Sequence, residues 1–367
     1  MATEVVTAEG TAARVAADNR PYRPSWVDVL TRWIDAVPGP TWLAYVGLLG
    51  AALAIVNVEG WLVGTPPGDP VQSFYAFFFV FPLAIIHYLS IGAGDAWDRF
   101  RPATDLDDGA ADGMRYRLTV IPPLPAALLL LIGTAINLAW LATDPVGLAI
   151  DDRPLPYVVS RAITESFLFG IVLVLIYKVL RQLRLVSGLH RSAARVDLYR
   201  PGPLHAMSRL TGRAAIGLAV LAVASGVPTP GMPEQSWLAI VVGFSLPILF
   251  VAVAVFLIPL RGMNRQLVEE KERLLDAVGS RIRSTTDALH RIVDDEAAND
   301  GDPDGSRTAQ TRIDALNKAL ASLLSELDFV RRLSTWPWDV STFRAVISAI
   351  GLPIALFLVY RLLERFV

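Results

Sequence analysis

Seven stretches of this chain are too apolar to be left in water, and that limits the folds open to it more than any motif does. Runs without Asp, Glu, Lys or Arg cover residues 36–58, 70–94, 118–143, 214–233 and 235–260. A shorter run spans 345–360, and one at 166–177 is lengthened by apolar flanks. A helix rises about 1.5 Å per residue, so roughly 20 residues cross a hydrocarbon core of about 30 Å. In lipid every backbone N–H and C=O must be paired within the protein, which makes helices the spanning element for runs of this length. The expected fold class is all-α, a polytopic membrane protein with seven transmembrane helices.

The charges between the runs orient it. With the N-terminus in the cytoplasm, the inner segments are 1–35, 95–117, 178–213 and 261–344, and they carry 4, 4, 8 and 13 Lys or Arg, 29 of the chain's 33. The outer segments hold only Arg153, Arg161, Arg361 and Arg365. The positive-inside rule then puts the N-terminus in the cytoplasm and, after seven spans, the C-terminus outside. Residues 1–35 are polar and mixed in charge, so no cleavable signal peptide is expected. The absence of cysteine excludes disulfides, thiolate nucleophiles and cysteine metal sites. Arginine outnumbers lysine 30 to 3, a composition that fits a high-GC prokaryotic genome and hence a prokaryotic cytoplasmic membrane.

This gives a cytoplasmic tail and interfacial helix over 1–35, spans 1 to 6 over 36–260, a cytoplasmic helical hairpin over 261–335 and span 7 over 336–367. Within 25–36, Trp26, Val29, Leu30, Trp33 and Ile34 form the apolar side of a helix lying along the inner interface. Residues 95–117 read as an inner loop. Span 6 continues inward as a helix over 263–293, and the acidic stretch 294–306 reads as a flexible linker. A second helix then carries Ile313, Leu316, Leu320, Leu323, Leu327 and Val330, spaced 3, 4, 3, 4, 3 as in a heptad seam. That seam can join copies of the chain or pack on 263–293.

Few motifs carry chemistry. Gly92-Ala93-Gly94-Asp95 matches the string of intramembrane aspartyl proteases, but that reaction needs a second aspartate facing the first, and no other span contains one. His87 and Glu165 are the ionisable groups expected at membrane depth, where their cost suggests function. The plainer reading is a histidine hydrogen-bonded inside the bundle and a glutamate beside Arg161. His290 lacks the context of a phosphorylated histidine and reads as a surface residue. No Walker loop, nucleophile elbow or HExxH occurs, so no enzyme, cofactor or metal is expected.

Span 7 carries a more suggestive pattern. Ser341, Ala345, Ser348, Leu352, Ala355 and Val359 make a small, weakly polar face; Phe343, Ile347, Ile350 and Ile354 make a bulky one. A small face permits close helix packing, or lines a narrow aqueous path with an apolar constriction.

The layout resembles the seven-transmembrane ion channel superfamily of the insect odorant and gustatory receptors. The shared features are an inner N-terminus, an outer C-terminus, spans 4 to 6 extended inward, a loop, a cytoplasmic helix at 311–334 and a last span ending near Val367. The resemblance implies a cytoplasmic anchor bundle around a fourfold axis and a cation pore lined by the last span of four subunits. The expected function is therefore a homotetrameric, ligand- or stress-gated cation channel. Its pore would be lined by the small face of span 7, with Leu352 and Val359 as the constriction. A small-molecule pocket is expected near Tyr75, Trp140 and Glu165. Expected partners are the bilayer, further copies of the chain and a small-molecule ligand, with no nucleic acid. The alternative is a non-conducting membrane scaffold or sensor whose cytoplasmic helices bind a partner. A reporter active only in the cytoplasm should work when inserted at residue 300 and fail when fused after Val367; the reverse pattern would refute the charge argument.

Overall fold

The computed structural model describes residues 21–62, 64, 70–143, 155–192, 202–226, 238, 240–298, 303–336, 341–349 and 351. Among them the secondary structure is helical, with no strand. Contacts divide the chain into two units, one of residues 1–194, 202–259 and 338–367, the other of 195–201 and 260–337.

In the first unit, Ser25 caps helix α1 (Trp26–Asp35) through a reciprocal capping box with Asp28. A tight turn follows in which Gly39 has a φ of +120°, a conformation suited to glycine. Then come α2 (Thr41–Leu62) and α3 (Pro70–Phe100). A single turn at Arg101–Ala103 leads to α4 (Asp108–Thr119), α5 (Pro123–Thr143), α6 (Leu155–Ser192) and α7 (Gly202–Gly226). A π-helical turn (Val241–Ser245) opens α8 (Leu246–Ala298); α9 (Pro303–Arg332) and α10 (341–349) complete the order. The expected loop at 95–117 is thus largely helical: α3 runs on to Phe100, and α4 fills most of the rest.

Among the described residues, six helices are long and apolar enough to cross a bilayer, over Thr41–Trp61, Ser73–Ala103, Asp108–Thr143, Val158–Leu189, Ala206–Gly226 and Val241–Ile258. The chain thus reads as a multi-pass membrane protein. The expected seventh run is helical over its described residues 345–349 and at 351, and the remainder of it lies outside the described residues.

Helix α3 is the hub, packed against α1, α2, α4, α6 and α7. Its phenylalanine-rich first half builds an aromatic core, with Phe74 and Phe78 centroids 4.3 Å apart and Phe77 stacked on Phe81 at 4.9 Å. Phe244 of the π-helical turn bridges this core to Phe169 of α6. The most intimate pair is α5 with α6, because two glycines let the backbones touch. A Cβ on Gly133 would lie 2.5 Å from the Gly170 nitrogen. Small residues at such crossings replace the hydrophobic effect, which gives no net drive between helices in lipid.

Helix α1 has an orientation that its apolar pattern did not predict. Val27, Asp28, Thr31 and Ile34 are buried, while Val29 and Trp33 point outward, Trp33 with 72% of its surface exposed. At a membrane surface, lipid takes the outward apolar side chains, so the helix can turn polar groups toward the protein.

In the second unit, the part of α8 beyond Pro259 and α9 form a hairpin. Lys271 Nζ donates to Arg331 O (2.7 Å) and Leu333 O (2.8 Å), at the C-terminal end of α9. The contacts lie about equally far along the chain from the connection at 299–302, so the helices run antiparallel. The linker expected at 294–306 shrinks accordingly: 294–298 belong to α8 and 303–306 to α9. The seam residue Val330 is fully buried, whereas Ile313, Leu316, Leu320, Leu323 and Leu327 are half-buried.

Gly133→Val should force α5 from α6 and cost about 1–3 kcal/mol, the usual range for overpacking. Gly47→Val meets nothing within 4 Å and serves as the control. Thermal unfolding in detergent should show a lower midpoint for the first variant only.

Candidate functional site

Short helix α4 ends at Thr119 because Val120 is extended and Pro122 and Pro123 follow. Its last carbonyls therefore need outside donors. Helix α6 supplies them from Lys178, Arg181 and Gln182, which share one face at i, i+3 and i+4. Lys178 Nζ reaches Thr119 O at 2.8 Å and Ser90 Oγ at 2.6 Å. An Arg181 guanidinium nitrogen donates to Val120 O at 2.8 Å, and Gln182 Nε2 to Leu118 O at 2.9 Å. Cations at the negative end of a helix are favourable, and here two converge on one terminus.

The segment leading into α1 joins the same cluster. Tyr22 Oη donates to Val120 O (2.9 Å) and accepts from Arg181 (2.6 Å), while Tyr116 Oη donates to Tyr22 O (2.9 Å). Burial pushes the Tyr22 phenol above its ordinary pKa, against the opposing pull of the Arg181 guanidinium. Asp28 Oδ2 accepts from Ser25 N (3.0 Å), Ser25 Oγ (2.6 Å) and Ile121 N (3.0 Å). One carboxylate thus closes the α1 cap and holds the second residue past α4.

Beside this cluster lies His87, with only 3% of its surface exposed. Its Nδ1 is 3.0 Å from Tyr45 Oη of α2, and its Nε2 is 3.1 Å from Asp35 Oδ2 at the end of α1. An ionised Asp35 requires the proton on Nε2, so Nδ1 accepts from Tyr45 in the neutral ring. His87 therefore joins α1, α2 and α3. A cavity of about 350 Å³ opens here, lined by Asp28, Thr31, Arg32 and Asp35 of α1 and by His87 and Ser90 of α3, with the end of α4 closing it.

The three residues expected at a ligand pocket are placed differently. Tyr75 and Glu165 are brought together by Arg161, which donates to Glu165 Oε1 at 2.7 Å and to Tyr75 Oη at 3.2 Å. Glu165 is buried, so its charge is held in a pair within the bundle rather than at a water interface. Trp140 packs on Phe169, with centroids 6.5 Å apart, and among the described residues no hydrogen bond or ring contact joins it to the Tyr75–Glu165 pair. Nearby, Asn137 Nδ2 donates to Ala162 O (3.0 Å) and Ser166 Oγ (3.2 Å). Asp95 and His290 are exposed. Of the expected pore face, Ser341, Ala345 and Ser348 lie on α10, with Ala345 and Ser348 uncovered; Leu352, Ala355 and Val359 lie outside the described residues. Among the described residues no cluster of His, Asp or Glu is arranged to hold a metal ion.

No protein-family model, curated protein or solved structure matches this chain.

The residues that build the cavity end (Tyr22, Asp28, Asp35, Tyr45, Lys178, Arg181 and Gln182) were not singled out by the sequence reading. One signal was present: Lys178 is one of only three lysines among 30 arginines. Asp28→Ala removes the acceptor for Ser25 and Ile121 and should cost at least about 2 kcal/mol, the scale of hydrogen bonds to a charged group. Trypsin should then cut faster after Arg32 than in the parent protein, while Asp276→Ala, on an exposed stretch of α8, should leave the rate unchanged.

Proposed function

We propose that this chain is a subunit of a homotetrameric cation channel in a prokaryotic cytoplasmic membrane, with span 7 at the pore and the α8–α9 hairpin on the cytoplasmic side. The observation that carries the reading is how α10 sits. It docks by one line of residues: Val346 is buried, Thr342 and Ala349 are half-buried, and Phe343 lies 6.2 Å from Phe256 of α8. That leaves two sides uncovered within one chain. Bulky Ile347 suits lipid, whereas Ala345 and Ser348 suit the close approach of another subunit and a narrow aqueous path. Leu352 and Val359, farther along the same periodicity, are the proposed apolar constriction, closed because water in a narrow apolar collar is unstable.

A scaffold reading is favoured by a different observation. Leu324 lies half exposed on α9 outside the heptad face, as an apolar side chain presented to a cytoplasmic partner would.

Electrophysiology and mass separate the two. Leu352→Ser or Val359→Asn should raise basal cation current in liposomes, while Ile354→Ser on the opposite face should not. Thiol reagents should block Ser348→Cys more readily than Ile347→Cys, which is practicable because the native chain has no cysteine. Folded protein that is monomeric by mass and silent in every variant would eliminate the channel.

A further inference from the structure

The cavity between α1, α3 and the end of α4 is lined by polar groups, and most of them are already committed. Thr31 Oγ1 donates to Asp28 O, and Ser90 Oγ donates to Ile86 O while accepting from Lys178. Thr119 Oγ1 donates to Arg115 O, and both His87 nitrogens are engaged. Asp28 takes three donors on Oδ2 and is itself buried. Two exposed lining groups retain capacity. Arg32 donates through Nε to Asp28 O at 3.1 Å, which leaves its two terminal amino groups; Asp35 gives Oδ2 to His87, which leaves Oδ1. They sit at i and i+3 on α1, one turn apart, and Asp35 is 49% exposed. The unspent chemistry of the cavity is one guanidinium beside one carboxylate.

The cavity also has a definite address. Helix α1 ends only a few residues before Thr41, where the first apolar span begins. Trp33 and Trp42 are largely exposed on either side of that junction. Tryptophans in such positions mark the headgroup layer. The volume, about 350 Å³, falls within the range of small-ligand sites, roughly 300–1,000 Å³.

We infer that this cavity binds the zwitterionic headgroup of a phosphatidylethanolamine-type lipid, its phosphate on Arg32 and its primary ammonium on Asp35. Arginine's fork matches a phosphate, and a carboxylate oxygen accepts directly from an ammonium N–H. A quaternary choline has no N–H to give Asp35 and asks for an aromatic cage, whereas Tyr116 is the aromatic residue of this lining. An anionic glycerol headgroup would satisfy Arg32 and place its charge near Asp28 and Asp35 without compensation. The inference does not depend on conduction.

The test uses the full-length protein in mild detergent, with lipid retention read by native mass spectrometry. Phosphatidylethanolamine, phosphatidylcholine and phosphatidylglycerol with identical acyl chains are offered at equal concentration. The ethanolamine lipid should be retained about tenfold over either competitor, the scale of one charge-assisted pair. Arg32→Gln and Asp35→Asn should each erase most of that preference, and Arg32→Lys should keep part of it. Arg32 bonds only a backbone carbonyl, so Arg32→Gln decides the matter if Asp35→Asn fails to fold. Equal retention of the three lipids, or an unchanged preference in Arg32→Gln, would overturn the site. Soluble glycerophosphoethanolamine displacing the lipid at equal concentration would overturn the assignment to a lipid, since a membrane-anchored ligand has the advantage of its chains.

Discussion

The last carbonyls of α4 have no partners within their own helix, and much of the first unit is arranged around meeting them with side chains. An amide group left unpaired away from water costs on the order of 1–3 kcal/mol. Three consecutive carbonyls, at Leu118, Thr119 and Val120, are met by three side chains of α6. The arrangement fixes the rotation of α6, because Lys178, Arg181 and Gln182 must all face α4. It also explains why buried cations are tolerated there. The helix terminus supplies negative potential, and Asp28 adds a formal charge nearby.

This polar end and the glycine contact between α5 and α6 serve different purposes. At Gly133 and Gly170 the helices meet through backbone, and dispersion over a close crossing holds them. At the α1 end, directional bonds hold elements that have little apolar surface to share. Helix α1 illustrates the consequence. Its buried side carries Asp28 and Thr31 beside Val27 and Ile34, while Trp33 is left exposed, a mixture unlike a helix on a soluble core. An exposed tryptophan of that kind is stable where lipid can cover it.

Much of the fold was legible in the sequence because membrane spans are read from long, local, charge-free runs. The charge-free run at 36–58 was read as a span, and an apolar helix of spanning length covers Thr41–Trp61. Helix α1 and the continuation of the sixth apolar run as a long helix were also visible, through the apolar periodicity of each segment. The inner loop was misjudged because α4 is short and polar, with no apolar period strong enough to announce it. The linker was misjudged because acidic residues near a helix end read as disorder when packing is invisible. The cavity end was hidden for a further reason. Its partners are far apart in sequence: Asp28 with Ile121, and Tyr22 with Arg181. Polar contacts between helices carry no periodicity, so the residues were read one at a time. His87 was noticed for its cost in a membrane, yet its partners, Tyr45 and Asp35, belong to two other helices.

The tie between Tyr22 and Arg181 crosses 159 residues of chain. A ribosome adds about 5–20 residues per second, so roughly ten to thirty seconds separate the two residues during synthesis. Throughout that interval the segment around Tyr22 has no guanidinium to meet, although α2, α3 and α5 are already being inserted. The segment before α1 can be held by the end of α4 as soon as Tyr116, Val120 and Ile121 are made, and Arg181 completes the fastening only when α6 follows.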